Sequence, residues 1–132
     1  MDARLKETVR RRAGQRCEYC HLPEAIAELP FQFDHVIAEQ HGGVAIEDNL
    51  ALSCVRCNRY KGPNLSGIDP ESGKLTRLFN PRSDAWSKHF LWKGARLSGR
   101  TAIGRTTIVV LQINHPEAQN QRVDLLKEGI SF

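Results

Sequence analysis

Cys17-Glu18-Tyr19-Cys20 and, after 33 intervening residues, Cys54-Val55-Arg56-Cys57-Asn58-Arg59-Tyr60-Lys61 decide how this chain is read. Between them lie Phe31-Gln32-Phe33-Asp34-His35-Val36-Ile37, the pair Gly42-Gly43, and Asn49-Leu50. Each Cys-x-x-Cys offers two thiolates from one tight turn, and two such pairs close a tetrahedral site around one zinc ion. The chain has no further cysteine. Four sulfurs leave a zinc ion no open position, so Cys17, Cys20, Cys54 and Cys57 predict a structural Zn²⁺ rather than a catalytic one. The zinc would fix an Asp-His pair and an asparagine that directly follows the last thiolate.

Working outward, the length of 132 residues predicts one domain, 1–132, with a core at about 10–62 and a C-terminal elaboration at 63–132. No apolar run approaches the roughly 20 residues needed to span a bilayer, and the N-terminus has no apolar signal segment. The expectation is a cytoplasmic protein without a membrane partner, where paired cysteines stay reduced and bind metal. The net charge of +4 conceals a pattern. Residues 1–16 carry six Lys/Arg against two acids, residues 21–53 six acids and no Lys/Arg, and residues 77–105 seven Lys/Arg against Asp84 alone. Basic flanks suit a polyanion and an acidic centre suits divalent cations, although solubility explains the same charges.

The spacing predicts a helix over 3–13, with Leu5 and Val9 on one face and Gly14 as its stop. Ala25, Ile26 and Leu29 stand at helical spacing before Pro30. Phe31–Ile37 reads as a strand, Asn49–Ser53 as its return, and Asn58–Lys61 as the start of a helix that Gly62-Pro63 stops early. Further on, Leu75–Phe79 reads as a short strand and Trp86–Leu97 as a hairpin turning at Lys93-Gly94. Residues 105–113 suit strand or helix. Glu117–Lys127 reads as a helix with Val123 and Leu126 facing inward. The fold class is α+β.

Asp34 offers a carboxylate and Asn58 a side-chain carbonyl, both suited to a hard ion such as Mg²⁺. A neutral His35 can take a proton from water. Together these supply what phosphodiester hydrolysis requires. Alternation along a strand sends His35 to the side of Phe31 and Phe33, and Asp34 to the other. Met alone, such a pair is a core histidine and a surface acid. Facing apart also suits in-line attack, in which base and metal approach the phosphate from different sides.

The combination Cys-x-x-Cys, Asp34-His35-Val36, Gly42-Gly43, Asn49-Leu50, Cys-x-x-Cys-Asn58-x-x-Lys61 resembles the HNH nuclease family in its zinc-knuckle branch. The resemblance covers about residues 10–62. The tail, with Gly67-Ile-Asp69-Pro70, Leu78-Phe-Asn-Pro-Arg82 and Trp86-Ser-Lys-His89-Phe90, is similar to small stand-alone bacterial HNH proteins. The resemblance implies a ββα-metal fold and a metal-dependent endonuclease acting on duplex or branched DNA. It implies His35 as general base, Asp34 and Asn58 as ligands of one Mg²⁺ or Mn²⁺, and Asn49 as the residue that holds the loop and orients His35. Asn58 fills a position that is histidine in many members. Arg59 and Lys61 would steady phosphates, and Arg10, Arg11 and Arg12 would grip the DNA backbone. No sequence-reading module is apparent, so specificity would be weak or supplied by a protein partner. The rival expectation is a non-catalytic zinc module that binds nucleic acid.

Overall fold

The computed structural model describes residues 1–132 and builds the zinc-knuckle region as two strands and a helix. Helix α1 (Ala3–Arg12) is capped by Asp2, whose Oδ1 accepts from the Leu5 amide at 2.8 Å. Its buried contact is Val9. Strand β1 (Gln32–His35) pairs antiparallel with β2 (Leu50–Ser53), with Asp34 opposite Ala51 and His35 opposite Leu50. All four residues of β2 are buried, so this strand is the centre of the region. Helix α2 (Val55–Lys61) follows directly. Its N-cap is Cys54, whose sulfur accepts from the Cys57 amide at 3.4 Å. Cys17 accepts in the same way from the Cys20 amide at 3.5 Å, so the two cysteine pairs form matching turns. The apolar stretch before Pro30 yields only a single 3₁₀ turn, Glu24–Ile26, and Ile26 and Leu29 stay exposed.

The second half packs onto this unit as two hairpins and three helices. β3 (Ser66–Ile68) pairs with β4 (Leu75–Arg77), and β5 (Phe90–Lys93) pairs with β6 (Arg96–Gly99) after a short helix α3 (Trp86–His89). Gly94 turns the second hairpin at φ +60°. Helix α4 (Ala102–Val110) settles the ambiguous segment. The β propensity of Thr106-Thr-Ile-Val-Val is overridden because Thr106, Thr107 and Ile108 bury one helical face. Thr101 caps the helix by accepting from the Gly104 amide at 3.1 Å. At Gly104 a Cβ would run into the His89 carbonyl, so the helix can lie this close only without a side chain there.

Helix α5 (Pro116–Lys127) corrects one expectation. Val123 and Leu126 are exposed, and the residues turned inward are Ala118 and Arg122. The Arg122 guanidinium donates to the carbonyls of Ala95 and Ile113, at 2.9 and 2.5 Å. Those bonds satisfy its charge-bearing end in the interior, and its plane lies over Trp92. A 3.6-residue apolar pattern cannot reveal an inward face built on an arginine.

One buried cluster runs through both halves, from Val9, Tyr19, Leu50 and Leu52 to Phe79, Phe90, Leu111 and Ile113. Polar ties reinforce it. The Trp86 indole donates to the Tyr19 carbonyl at 3.0 Å, the Arg82 guanidinium pairs with Glu18, and Glu18 also accepts from the Leu52 amide at 2.8 Å. The two tryptophans are therefore packing residues: Trp86 stacks against Phe90, Trp92 and His21.

Candidate active site

The four cysteine sulfurs lie within 4.8 Å of one another, all buried, and Cys20 Sγ is 3.7 Å from Cys54 Sγ. A zinc ion with Zn–S bonds of about 2.3 Å requires sulfurs about 3.8 Å apart at the corners of a tetrahedron. The cluster therefore fits a zinc site. None of the four is in a disulfide. The sulfurs share protons unequally. Hydrogen bonds from Cys17, Cys20 and Cys57 hold the Cys54 thiol far below its ordinary range, while Cys20 and Cys57 are held well above theirs, chiefly by Cys17. A zinc ion displaces the thiol protons on binding.

β1 and α2 bring Asp34, His35 and Asn58 to one open cavity of about 500 Å³, lined also by Phe33, Ala38, Glu39, Gln40, Gly62 and Pro63. Burial does not alternate along β1, and Asp34 and His35 line the same cavity instead of facing apart. Asp34 is the buried member, 5% exposed, and His35 is partly open. His35 Nε2 has no hydrogen-bond partner, and Glu39 Oε1 at 3.6 Å is beyond hydrogen-bonding reach. The Nε2 atom itself is buried, although the His35 side chain as a whole is 20% exposed and lines the cavity.

Asn49 fixes the loop that follows His35. Its Oδ1 accepts from the Ile37 amide at 2.9 Å, and its Nδ2 donates to the carbonyls of Ile37 and Val44, both at 3.0 Å. The Val36 amide donates to the Asn49 carbonyl. Gly43 completes the closure, since a Cβ there would collide with the Ile37 carbonyl and the Asn49 amide. The two ends of the loop, beside β1 and before β2, are therefore pinned by one side chain.

Asp34 is surrounded more fully than its sequence context suggested. Tyr19 donates its hydroxyl to Asp34 Oδ2 at 2.8 Å. The Lys61 ammonium lies 3.1 Å from Oδ2 and 3.3 Å from Oδ1. It also donates to the carbonyls of His35 and Val36, each at 3.2 Å. Lys61 is 2% exposed. Burial pushes the Asp34 carboxyl up from its ordinary range, against the downward pull of Lys61 and of the Tyr19 hydroxyl. Burial and the neighbouring Asp34 charge push the Tyr19 phenol well above its ordinary value, so it remains a donor.

The expected phosphate contacts separate into two groups. Arg11 and Arg59 are exposed and hold no partner. Arg10 bonds Glu24 at 3.1 Å and lies over the Phe33 ring, and Arg12 donates to the carbonyls of Glu47 and Leu50 at 2.8 and 2.6 Å. Those two tie α1 to the strand pair. Lys61 is withdrawn from the surface altogether. His41 is exposed, whereas His89 is buried with Nδ1 2.6 Å from the Thr101 hydroxyl. Sequence reasoning missed Tyr19 and Glu18. Their only signal is position: a residue between two metal ligands is nearly as fixed as the ligands. A second cavity of similar size beside α2, lined by Leu22, Phe31, Arg59, Tyr60 and His115, contains neither Asp34 nor His35.

Residues 17–64 match the family model described as HNH endonuclease. The matched span runs from the first cysteine to just beyond Lys61, so it contains the whole cluster, β1, β2 and α2. Those elements run strand, strand, helix and are stapled by a four-cysteine site suited to zinc, an order consistent with an HNH ββα-metal core. No curated protein and no solved structure matches the chain. No helix is long and apolar enough to cross a membrane.

Proposed function

We propose that this protein is a divalent-metal-dependent endonuclease that hydrolyses DNA phosphodiester bonds, with His35 as general base. The observation that carries this reading is the convergence of Asp34, His35 and Asn58 on one open cavity. A base needs a free lone pair near the water it activates. Asp34 and Asn58 offer oxygen donors of the kind Mg²⁺ or Mn²⁺ prefers. When bound, such an ion neutralises charge on the phosphate and on the leaving oxygen. His35 takes the proton from the attacking water. Asn49 holds the loop that carries the backbone beyond His35, and the thiolate cluster fixes Cys57 and so the start point of Asn58.

DNA is the substrate class that the basic surfaces favour. Arg11 and Arg59 are free near the core, and Lys88, Lys93, Arg96 and Arg100 stand exposed and unpaired around the β5–β6 hairpin. Between Asp84 and Glu117 there is no acidic residue. Arg77, Arg82 and Arg105 are committed to Asp84, Glu18 and Asp69 and are assigned structural roles. The grip is to phosphates, so it is salt-dependent and indifferent to sequence. Four free cysteines gathered as a metal site support the reading of a reducing compartment such as the cytoplasm.

One observation favours the rival reading of a non-catalytic zinc module: Asp34 already has a cationic partner in Lys61. Plasmid nicking with Mg²⁺ or Mn²⁺ decides between them. Wild type nicks and His35→Ala, with zinc content and fold retained, loses at least a hundredfold in rate, as loss of a general base implies. Equal nicking by both proteins removes the enzymatic reading.

A further inference from the structure

We infer that Lys61 is the resident counter-ion of the Asp34 carboxylate and sets how tightly the site holds its divalent ion. This rests on the assignment of Asp34 and Asn58 as metal ligands, and it concerns how that site is regulated.

The ammonium of Lys61 sits in a cage made of oxygen: both carboxylate oxygens of Asp34 and the carbonyls of His35 and Val36, at 3.1–3.3 Å. Such a donor set is one that a hard cation would accept. Lys61 reaches it from the last turn of α2, three residues beyond Asn58, so both residues come to the site on one short helix. Cys54 caps that helix and Cys57 lies within it, which anchors its start to the thiolate cluster. The lysine has little freedom to leave.

The Lys61 ammonium repels a second cation that approaches the Asp34 carboxylate, and the repulsion is strong where water is scarce. Tyr19 also bonds Oδ2, at 2.8 Å, so the carboxylate cannot simply rotate away. The free protein therefore binds its divalent ion weakly. A phosphodiester in the cavity supplies the negative charge that offsets Lys61, and ion and substrate bind cooperatively.

The test measures Mn²⁺ affinity by titration calorimetry, and by the loss of the free Mn²⁺ electron-spin signal, on the zinc-loaded protein. The variants are Lys61→Met, which keeps an unbranched chain and removes the ammonium, and Asp34→Asn. Lys61→Met is expected to bind Mn²⁺ at least tenfold more tightly than wild type. Equal or weaker binding by a folded, zinc-replete Lys61→Met overturns the inference while leaving the metal site intact. If wild type and Asp34→Asn bind Mn²⁺ alike, the assignment of the metal ligands fails instead, and the inference with it. A second measurement needs no variant at Lys61. The ζ-ammonium signal of a buried, bonded lysine is observable by ¹⁵N NMR, and Mg²⁺ addition is expected to shift it in wild type but not in Asp34→Asn. An unmoved Lys61 signal under saturating Mg²⁺ overturns the inference even if Lys61→Met does not fold.

Discussion

The two halves of this protein solve the same problem with different chemistry. In residues 17–64 the chain is held by four sulfurs, one asparagine that closes a loop, and a buried Asp–Lys pair. In the remainder it is held by arginines turned into internal donors and by glycines that let backbones touch. Asp69 is fully buried and bonded by the Arg105 guanidinium at 3.0 and 2.9 Å; Arg77 clamps Asp84 at 2.7 and 2.9 Å. The first half spends its polar residues around a cavity that opens to solvent. The second uses comparable residues as fasteners and leaves Lys74, Lys88, Lys93, Arg96, Arg100 and Lys127 exposed without partners. Charge along a sequence therefore overstates the charge available to a ligand.

Zinc removal should separate the halves most sharply. Structural zinc contributes on the order of 10 kcal/mol or more to folding in small zinc domains. Chelation, or Cys54→Ser, is expected to unfold the 17–64 core. Trp86 should report it, because its indole is bonded to the Tyr19 carbonyl and stacked on His21. Unchanged tryptophan fluorescence in a zinc-free protein would mean that the apolar cluster, not the metal, fixes the knuckle.

Gly104→Ala should have a smaller effect and act from the other side. The new Cβ meets the His89 carbonyl, and overpacking of this kind costs typically 1–3 kcal/mol, with more against rigid backbone. The expected result is a lower Tm with zinc stoichiometry unchanged at one per chain. Loss of zinc together with Tm would show that the two halves fold as one cooperative unit.

The smallest expected effect is on pH dependence. Burial holds His21 and His89 below their ordinary pKa, so the unfolded chain protonates them near pH 6.5 while the folded chain resists. Their contribution is complete above about pH 6.5 and declines as pH falls toward the lower folded values. Asp84 and Asp69 are also held low, by Arg77 and Arg105, and their contribution is lost only below about pH 4. Tm measured against pH should thus fall in two stages, and His89→Gln should flatten the upper one. A single acid transition below pH 4 would show that burial of the histidines carries no titration penalty.

The readable parts of the fold were those in which one residue type has one plausible use. Two cysteine pairs, a strand before Gly42-Gly43, and an asparagine after the last cysteine define a compact chemical problem, and the structure places Asp34, His35 and Asn58 on one cavity. The tail was less legible. Thr106–Val110 had strand propensity and became a helix, and α5 turned an arginine inward rather than Val123. Intrinsic preferences at such positions amount to tenths of a kcal/mol, which packing against neighbours readily exceeds.

The sequence by itself determined the cysteine pairs, the strand–turn–strand–helix order around them, and the residue types gathered at the cavity, because these depend on spacing and on the chemistry of single side chains. Only the tertiary structure decided that Asp34 is the buried member of its pair, that Tyr19 reaches it from the knuckle, and that Lys61 faces inward as its counter-ion. The reason is physical: whether a charge meets water or an opposite charge depends on which distant segments fold over it, and local spacing carries no record of that.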